Sequence, residues 1–269
     1  MSSKQVVLIT GASSGIGREA AQRFAKAGFR VFGASRRGAV DADVESVVMD
    51  VSDDRSVAEG VARVMEKAGQ IDVLVNNAGY TVTGAIEETS IEQAHALFET
   101  NFFGAVRVAA AVLPHMRARR QGRIVNVSSV VGFLPAPYMG FYAASKHAME
   151  GWSVTLDHEL RSRGIRVALV QPGFTRTAID QSSARGSVAI ADYAEEGARV
   201  IGGMNAAIAS AVGPEVVAEM ILRAATARSS RLRWRAGREA KLLRLLSSAL
   251  PGAAFDNAMR KRFLLDPAR

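Results

Sequence analysis

The chain has 269 residues, 48% of them hydrophobic and 22% charged, which is enough for one large domain with a well-buried core. It contains no cysteine and only four histidines, so disulfides, thiolate catalysis and thiolate metal sites are excluded, and no metal is expected because no histidines pair at ligand spacing. The net charge of +8 resides in residues 228–269, which hold 11 Lys and Arg against 3 Asp and Glu and leave the rest of the chain neutral.

Met1-Ser2-Ser3-Lys4 passes directly into apolar residues without a secretory-leader pattern. No apolar run approaches the ~20 residues that span a bilayer. A soluble, cytoplasmic protein is the expectation. Val6 to Ile9 reads as a strand buried on both faces. A glycine-rich turn follows, then a helix over Ile16–Ala27 stopped by Gly28. Arg30–Ser35 and Val44–Met49 read as strands, and Ser52 as the N-cap of a helix running to Ala68. Val73–Val75 is a fourth strand, Phe98–Arg119 a long helix and Arg123–Val127 a fifth strand. Ser145–Arg163 reads as helical and Arg166–Val170 as a sixth strand. This alternation predicts an α/β fold, a doubly wound and mostly parallel sheet in a single domain with a helical C-terminal extension. Residues 174–212 read as a loose lid, Pro214 as a helix start, Arg231–Arg235 as a strand with one charged face, and Ala240–Leu250 as a helix stopped by Pro251-Gly252.

The first candidate site is Thr10-Gly11-Ala12-Ser13-Ser14-Gly15-Ile16-Gly17, set between strand and helix. Glycines there let the backbone approach a pyrophosphate, and the helix N-terminus offers free N–H groups and the positive end of its dipole. A dinucleotide is the ligand this setting predicts. After the second strand the chain reads Ala34-Ser35-Arg36-Arg37, with no carboxylate to bind a ribose 2′-hydroxyl and two arginines suited to a 2′-phosphate. NADP(H) is therefore the expected cofactor. Tyr142 and Lys146 lie four apart at a helix start and share a face. Lowering a tyrosine pKa by ~3 units from ~10 needs ~4 kcal/mol. One cation at ~4 Å and an effective dielectric of ~20 supplies about that much. The expectation is that Lys146 activates Tyr142 by charge.

The spacing T-G-x-x-x-G-x-G resembles that of the short-chain dehydrogenase/reductase family. Further matches follow in order: Asp50-Val51, Asn76-Asn77-Ala78-Gly79, Tyr142-Ala143-Ala144-Ser145-Lys146 with Ser129 thirteen residues earlier, and Pro172-Gly173 with Thr177. The resemblance covers Val6 to Thr177 and implies a Rossmann-type fold and an oxidoreductase that moves a hydride between NADP(H) and a carbonyl or alcohol. It implies that Tyr142 exchanges the proton, Ser129 steadies the oxygen, Lys146 also holds the nicotinamide ribose, and Asn101 positions a water in a proton relay. Asn101 reads equally as a helix-distorting residue bonded to backbone. Gly11, Ser13, Ser14, Gly15, Ile16 and Gly17 would hold the pyrophosphate, Arg36 and Arg37 the 2′-phosphate, and Asp50 with Val51 the adenine. Asn77, Ala78 and Gly79 would lie beneath the adenosine ribose, and Pro172, Gly173, Thr175 and Thr177 would flank the nicotinamide. His95, His115, His147 and His158 read as structural or exposed. The resemblance also implies a homodimer or homotetramer, paired through Phe98–Arg119 and Ser145–Arg163.

Phe133, Leu134, Tyr138, Met139 and Phe141 connect Ser129 to Tyr142 and would wall a pocket. The expected substrate is hydrophobic, such as a steroid, retinoid or fatty carbonyl compound. The leucines of the Ala240–Leu250 helix are read as packing on their own domain rather than on an anionic membrane. Arg231, Arg233 and Arg235 are read as guarding a sheet edge. The rival functions are a non-enzymatic NADP(H)-binding regulator, which would not need the Ser129–Tyr142–Lys146 set, and nucleic-acid binding by the basic tail. The tail has no nucleic-acid motif and few aromatics, so no nucleic-acid partner is expected.

Overall fold

In the computed structural model, which describes residues 4–38, 41–176, 184–229 and 231–265, the first apolar run forms strand β1 (Val6–Thr10). Val6 and Leu8 enter one hydrophobic core while Val7 and Ile9 enter another, as the two-residue period of a strand requires. Next come α1 (Gly15–Lys26), β2 (Arg30–Ser35), β3 (Glu45–Val48), α2 (Asp54–Ala68) and β4 (Val73–Asn76). They are followed by β5 (Val82–Thr83), α3 (Ile91–Phe98), α4 (Gly104–Arg119), β6 (Gly122–Val127), α5 (Gly140–Leu160) and β7 (Ile165–Pro172). The C-terminal part adds β8 (Ala184–Arg185), α6 (Ala194–Ala209), α7 (Pro214–Thr226), β9 (Arg233–Ala236), α8 (Gly237–Ala249) and α9 (Gly252–Arg262).

Seven strands make one sheet in the order β3-β2-β1-β4-β6-β7-β9, and every pairing in it is parallel. Val57 and Val61 of α2, Val112 and Met116 of α4 and Leu156 of α5 cover one face. Phe24 of α1 and Val217 and Ile221 of α7 cover the other. The doubly wound Rossmann-type architecture is the one the sequence predicts. Strand order reverses at β1 and β4, which opens a crevice at their carboxyl ends, where such sheets bind ligands. A third core lies apart from the sheet. There Leu134 and Met139 meet Val200 and Met204 of α6, Leu243 of α8, Met259 of α9 and Phe263 beyond it.

Several expectations need correction. Asp53, not Ser52, caps α2, accepting from the Ser56 amide at 2.6 Å. Ser52 instead donates its amide and hydroxyl to Asp50. The long helix begins at Ile91, capped by Ser90, and carries a π turn at Glu99–Phe103 before α4. α5 begins at Gly140, ahead of the expected Ser145, which places Tyr142 in its first turn. The lid region contains α6, and α9 follows the expected stop at Pro251-Gly252. The helical run Ile91–Arg119 contains an 18-residue window with a mean hydropathy of 1.4, long and apolar enough to cross a membrane by length and composition alone. Its Val108, Ala109, Val112 and Met116 are nevertheless buried against the sheet. Edge strand β9 is less of a charged guard than expected, because Arg233 and Arg235 are half-buried and Arg233 donates to the buried Glu150 at 2.9 Å.

Asp157 ties α5 to the sheet. Its carboxylate is fully buried and accepts from Arg161 (2.7 Å), Arg166 (2.9 Å) and the Val167 amide (2.9 Å). Burial pushes its pKa upward, but Arg166, the Val167 amide and Arg161 outweigh it and leave it below the usual carboxylate value. A depressed acid stabilises the fold above the unfolded pKa of ~4 and loses that contribution as pH falls through its folded value. Asp157→Asn is therefore expected to cost about 3 kcal/mol at neutral pH, since it strands the two arginines. Urea denaturation should show this loss at pH 7, shrinking progressively below pH ~4.

Candidate active site

The dinucleotide end of the crevice is built by close backbone packing. Gly11 adopts φ +67, and a Cβ there would come within 2.9 Å of the Ala78 Cα. A Cβ on Gly17 would overlap the Gly11 carbonyl oxygen. Ser14 is the N-cap of α1, yet its side chain makes no capping bond and the first turn holds no acid. Orphan N–H groups of a helix start, pressed close to a strand end, suit a pyrophosphate. The residues present thus fit a dinucleotide. The side chains of Ser13 and Ser14 are exposed beside them, and Ile16 lines the cleft.

Arg36 and Arg37 lie in an exposed turn after β2. The Arg36 charge helps hold the Asp50 carboxyl below its usual pKa, after the stronger hydrogen bonding from Ser52. Asp50 Oδ1 accepts from Ser52 at 2.6 Å, so part of this carboxylate already serves local structure. Val51 is buried and its carbonyl accepts from Arg107 at 2.7 Å. Asn77 donates to the carbonyls of Thr10 (3.0 Å) and Gly11 (3.3 Å), and the Thr10 hydroxyl accepts from the amides of Asn77 and Ala78. Asn77 thus fastens β4 to β1 while it and Gly79 line the cleft.

At the reacting end, β6 delivers Ser129 and the first turns of α5 deliver Tyr142 and Lys146 to one place. Ser129 and Tyr142 line the same cleft, and Ser129 acts to lower the Tyr142 pKa. Lys146 is buried, donates from Nζ to the Val127 carbonyl at 2.9 Å and sits 5.7 Å from the centre of the Tyr142 ring. The expected charge activation is not what the protein displays. Burial pushes the Tyr142 hydroxyl up to about 12, with Ser129 drawing it down, and burial lowers Lys146 to about 8. The ammonium is directed at the end of β6 rather than at the phenol oxygen, so desolvation dominates both groups. Asn101 is buried in the π turn and clamps Tyr80, accepting from its amide and donating to its carbonyl, each at 2.9 Å. The backbone-bonding reading of Asn101 is therefore realised, at a neighbouring segment rather than its own helix. His147 is exposed on another face of α5, with Nδ1 at 2.9 Å from the Ala143 carbonyl.

Above these groups lies a cavity of about 290 Å³. Pro172, Gly173 and Thr175 border it, whereas Thr177 falls outside the described residues. Of the expected wall, Leu134 and Met139 line it. Tyr138 is buried to one side, donating to Glu196 at 2.9 Å, and Phe133 lies under the Arg244 guanidinium. Phe141 is half-buried and is not part of the lining. The roof comes from Ile201, Met204 and Ile208 of α6, within the 174–212 segment read as a lid, and from residues the sequence did not place at the pocket: Leu243 of α8, Met259 of α9 and Phe263. Glu239 and Arg262, an ion pair joining α8 to α9, stand at its edge. An apolar stripe on each helix was the available signal, but which way a stripe faces is settled only by packing.

A parallel doubly wound sheet, a dinucleotide cradle at its switch point and a Ser–Tyr–Lys cluster beside it define a class of nicotinamide-dependent oxidoreductases. The family model described as short chain dehydrogenase matches residues 5–187, and the chain belongs to the short-chain dehydrogenase/reductase family, whose fold binds a nicotinamide cofactor. It is 45% identical over 170 residues to a 3-ketodihydrosphingosine reductase of Bacteroides thetaiotaomicron, a match spanning 63% of each chain. A short-chain dehydrogenase from Streptomyces avermitilis is 32% identical and superposes with a TM-score of 0.81 over 97% of both chains. A family member from Burkholderia phymatum in complex with NAD is 26% identical, with a TM-score of 0.78 over 99% of this chain and 97% of its own. ElxO with NADP bound is also 26% identical, with a TM-score of 0.70 over 88% and 99%.

Lys146 offers a direct check on the electrostatics of the site. A buried amine with a pKa of about 8 carries far more neutral, reactive form at pH 8 than a free lysine near ~10.4. Acetylation of the cofactor-free protein across pH 6–11, followed by mass spectrometry of the Lys146 peptide, should show a midpoint near 8. A midpoint above 10 would contradict the assigned desolvation.

Proposed function

We propose that this protein is an NADP(H)-dependent reductase that converts a carbonyl on a hydrophobic small molecule to an alcohol. The observation that carries this reading is the meeting of Ser129, Tyr142 and Lys146 in one cleft, the last two one turn apart on α5, between an uncapped helix N-terminus and an apolar chamber. Bound NADPH supplies the hydride. With its pKa raised by burial, Tyr142 keeps its proton at neutral pH, which suits it to donate that proton to the carbonyl oxygen as the hydride reaches carbon. Ser129 donates a second hydrogen bond to the same oxygen and steadies its growing charge. The Lys146 ammonium, held at the Val127 carbonyl, directs its other protons toward the ribose hydroxyls. Asn101 holds the Gly79–Tyr80 segment in place, and the family resemblance adds a relay water at this position.

In the same proposal, the amides and hydroxyls of Gly11, Ser13, Ser14, Gly15, Ile16 and Gly17 bind the pyrophosphate. Asp50 and Val51 take the adenine, and Asn77, Ala78 and Gly79 take its ribose. Pro172, Gly173 and Thr175 flank the nicotinamide. The choice of NADP over NAD rests on Arg36 and Arg37 at the end of β2, where no carboxylate repels a 2′-phosphate. The apolar lining supports a hydrophobic carbonyl substrate, and the Bacteroides relative's name points to the same kind of ketone. Phe102, Phe103 and Trp152 form an aromatic cluster between the π turn and α5, with Phe103 exposed, which supports pairing with a second copy through those helices.

Two measurements test this reading. NADPH oxidation over a carbonyl library should find a reactive hydrophobic ketone or aldehyde, and Tyr142→Phe should reduce kcat about 10²- to 10⁴-fold while leaving NADPH binding intact. Equal turnover by the variant would remove Tyr142 from the chemistry. Arg36→Asp should weaken NADPH binding about ten- to a hundredfold relative to NADH, the scale of a lost charge-assisted contact. Fluorescence titration of both nucleotides reads that ratio.

A further inference from the structure

α8 has two apolar faces. Ala240 and Leu243 point inward, and Leu243 forms part of the chamber roof. Leu242 and Leu245, three apart, point outward and are 55% and 64% exposed. Ala249 completes their row one turn later and is also exposed, with Leu250 just past the helix end. The expected packing of this helix on its own domain thus accounts for only one of its faces. Arg238, four residues before Leu242, and Lys241 beside it are exposed along the same outer surface. A short helix with an outward leucine row bordered by cations has the form of one that lies in a membrane interface.

Charge decides between the possible occupants. The whole net charge of +8 belongs to residues 228–269, and the rest of the chain is neutral. A second copy docked on this face about a two-fold axis would bring Arg238 and Lys241 against like charges as the same patch met itself. An anionic lipid surface is attracted to those charges and accepts the leucines at the acyl boundary.

We infer that the outer face of α8, Leu242, Leu245 and Ala249 with Arg238 and Lys241, docks the protein on an anionic lipid surface. The inner face of the same helix roofs the cavity, so docking sets that roof against the bilayer. The docking does not depend on the catalytic reading above. A lipophilic substrate drawn from the membrane is a consequence only if that reading also holds.

The test is sedimentation of the full-length protein with vesicles of equal parts phosphatidylglycerol and phosphatidylcholine, and with phosphatidylcholine alone. Binding is expected to the anionic vesicles at low salt, at least tenfold weaker to the neutral ones, and released as salt rises. Leu242→Glu with Leu245→Glu should reduce the bound fraction at least tenfold. Arg238→Glu with Lys241→Glu, which leaves the leucines intact, should do the same. All four side chains lie on the solvent face, so circular dichroism of both variants should match the parent. Wild-type protein left in the supernatant overturns the inference, as do variants that bind like the parent. A change in oligomeric mass in the leucine variant without any vesicle binding would assign the face to a second copy instead.

Discussion

Everything at the functional end of this molecule hangs on how the tips of β1 and β4 are held together at the point where strand order reverses. The Thr10 hydroxyl accepts from the amides of Asn77 and Ala78, while the Asn77 amide donates back to the carbonyls of Thr10 and Gly11. These are backbone groups at strand ends, beyond the reach of the sheet ladder, and buried polar groups must find partners. Satisfying them with one hydroxyl and one amide fixes the width of the crevice. The glycine turn can then lie against Ala78, and α1 can start at the floor of the cleft with its N–H groups uncovered.

The reacting groups obey a different balance. A tyrosine and a lysine one helical turn apart suggest an ion pair that acidifies the phenol. The three-dimensional arrangement gives desolvation the larger effect on each: the phenol becomes harder to ionise and the ammonium easier to neutralise. The lysine spends one proton on the Val127 carbonyl at the end of β6. This anchors α5 to the sheet at the height of Ser129, so the serine, tyrosine and lysine keep their relative positions through a backbone contact rather than through mutual attraction. A phenol held protonated is matched to giving a proton, which agrees with the reductive direction proposed above.

The C-terminal segment alters how the pocket is understood. Its basic composition and leucine-rich helix look like an appendage when read along the chain. In space β9 extends the sheet beside β7, α8 leaves from its end, and α9 returns so that Met259 and Phe263 close the chamber. The Glu239–Arg262 ion pair joins those two helices at the cavity edge. The segment that carries the surplus charge is therefore also the one that shapes the apolar volume.

The sheet, its parallel sense and the places of the motifs at strand ends and helix starts were legible in the sequence because each depends on local signals. Buried strands are continuous apolar runs, helices start and stop at caps and glycines, and T-G-x-x-x-G-x-G declares a close approach that larger side chains forbid. Small boundary errors, such as Asp53 rather than Ser52 as a cap, arose where two adjacent residues could serve equally well. The direction of the Tyr142 and Lys146 shifts, the commitment of Asn101 to Tyr80 and the share of α8 and α9 in the pocket roof were decided only by tertiary structure. Each depends on which groups distant in sequence share a buried volume, since burial, dielectric and the partner of a helix face are properties of the packed chain and not of any segment within it.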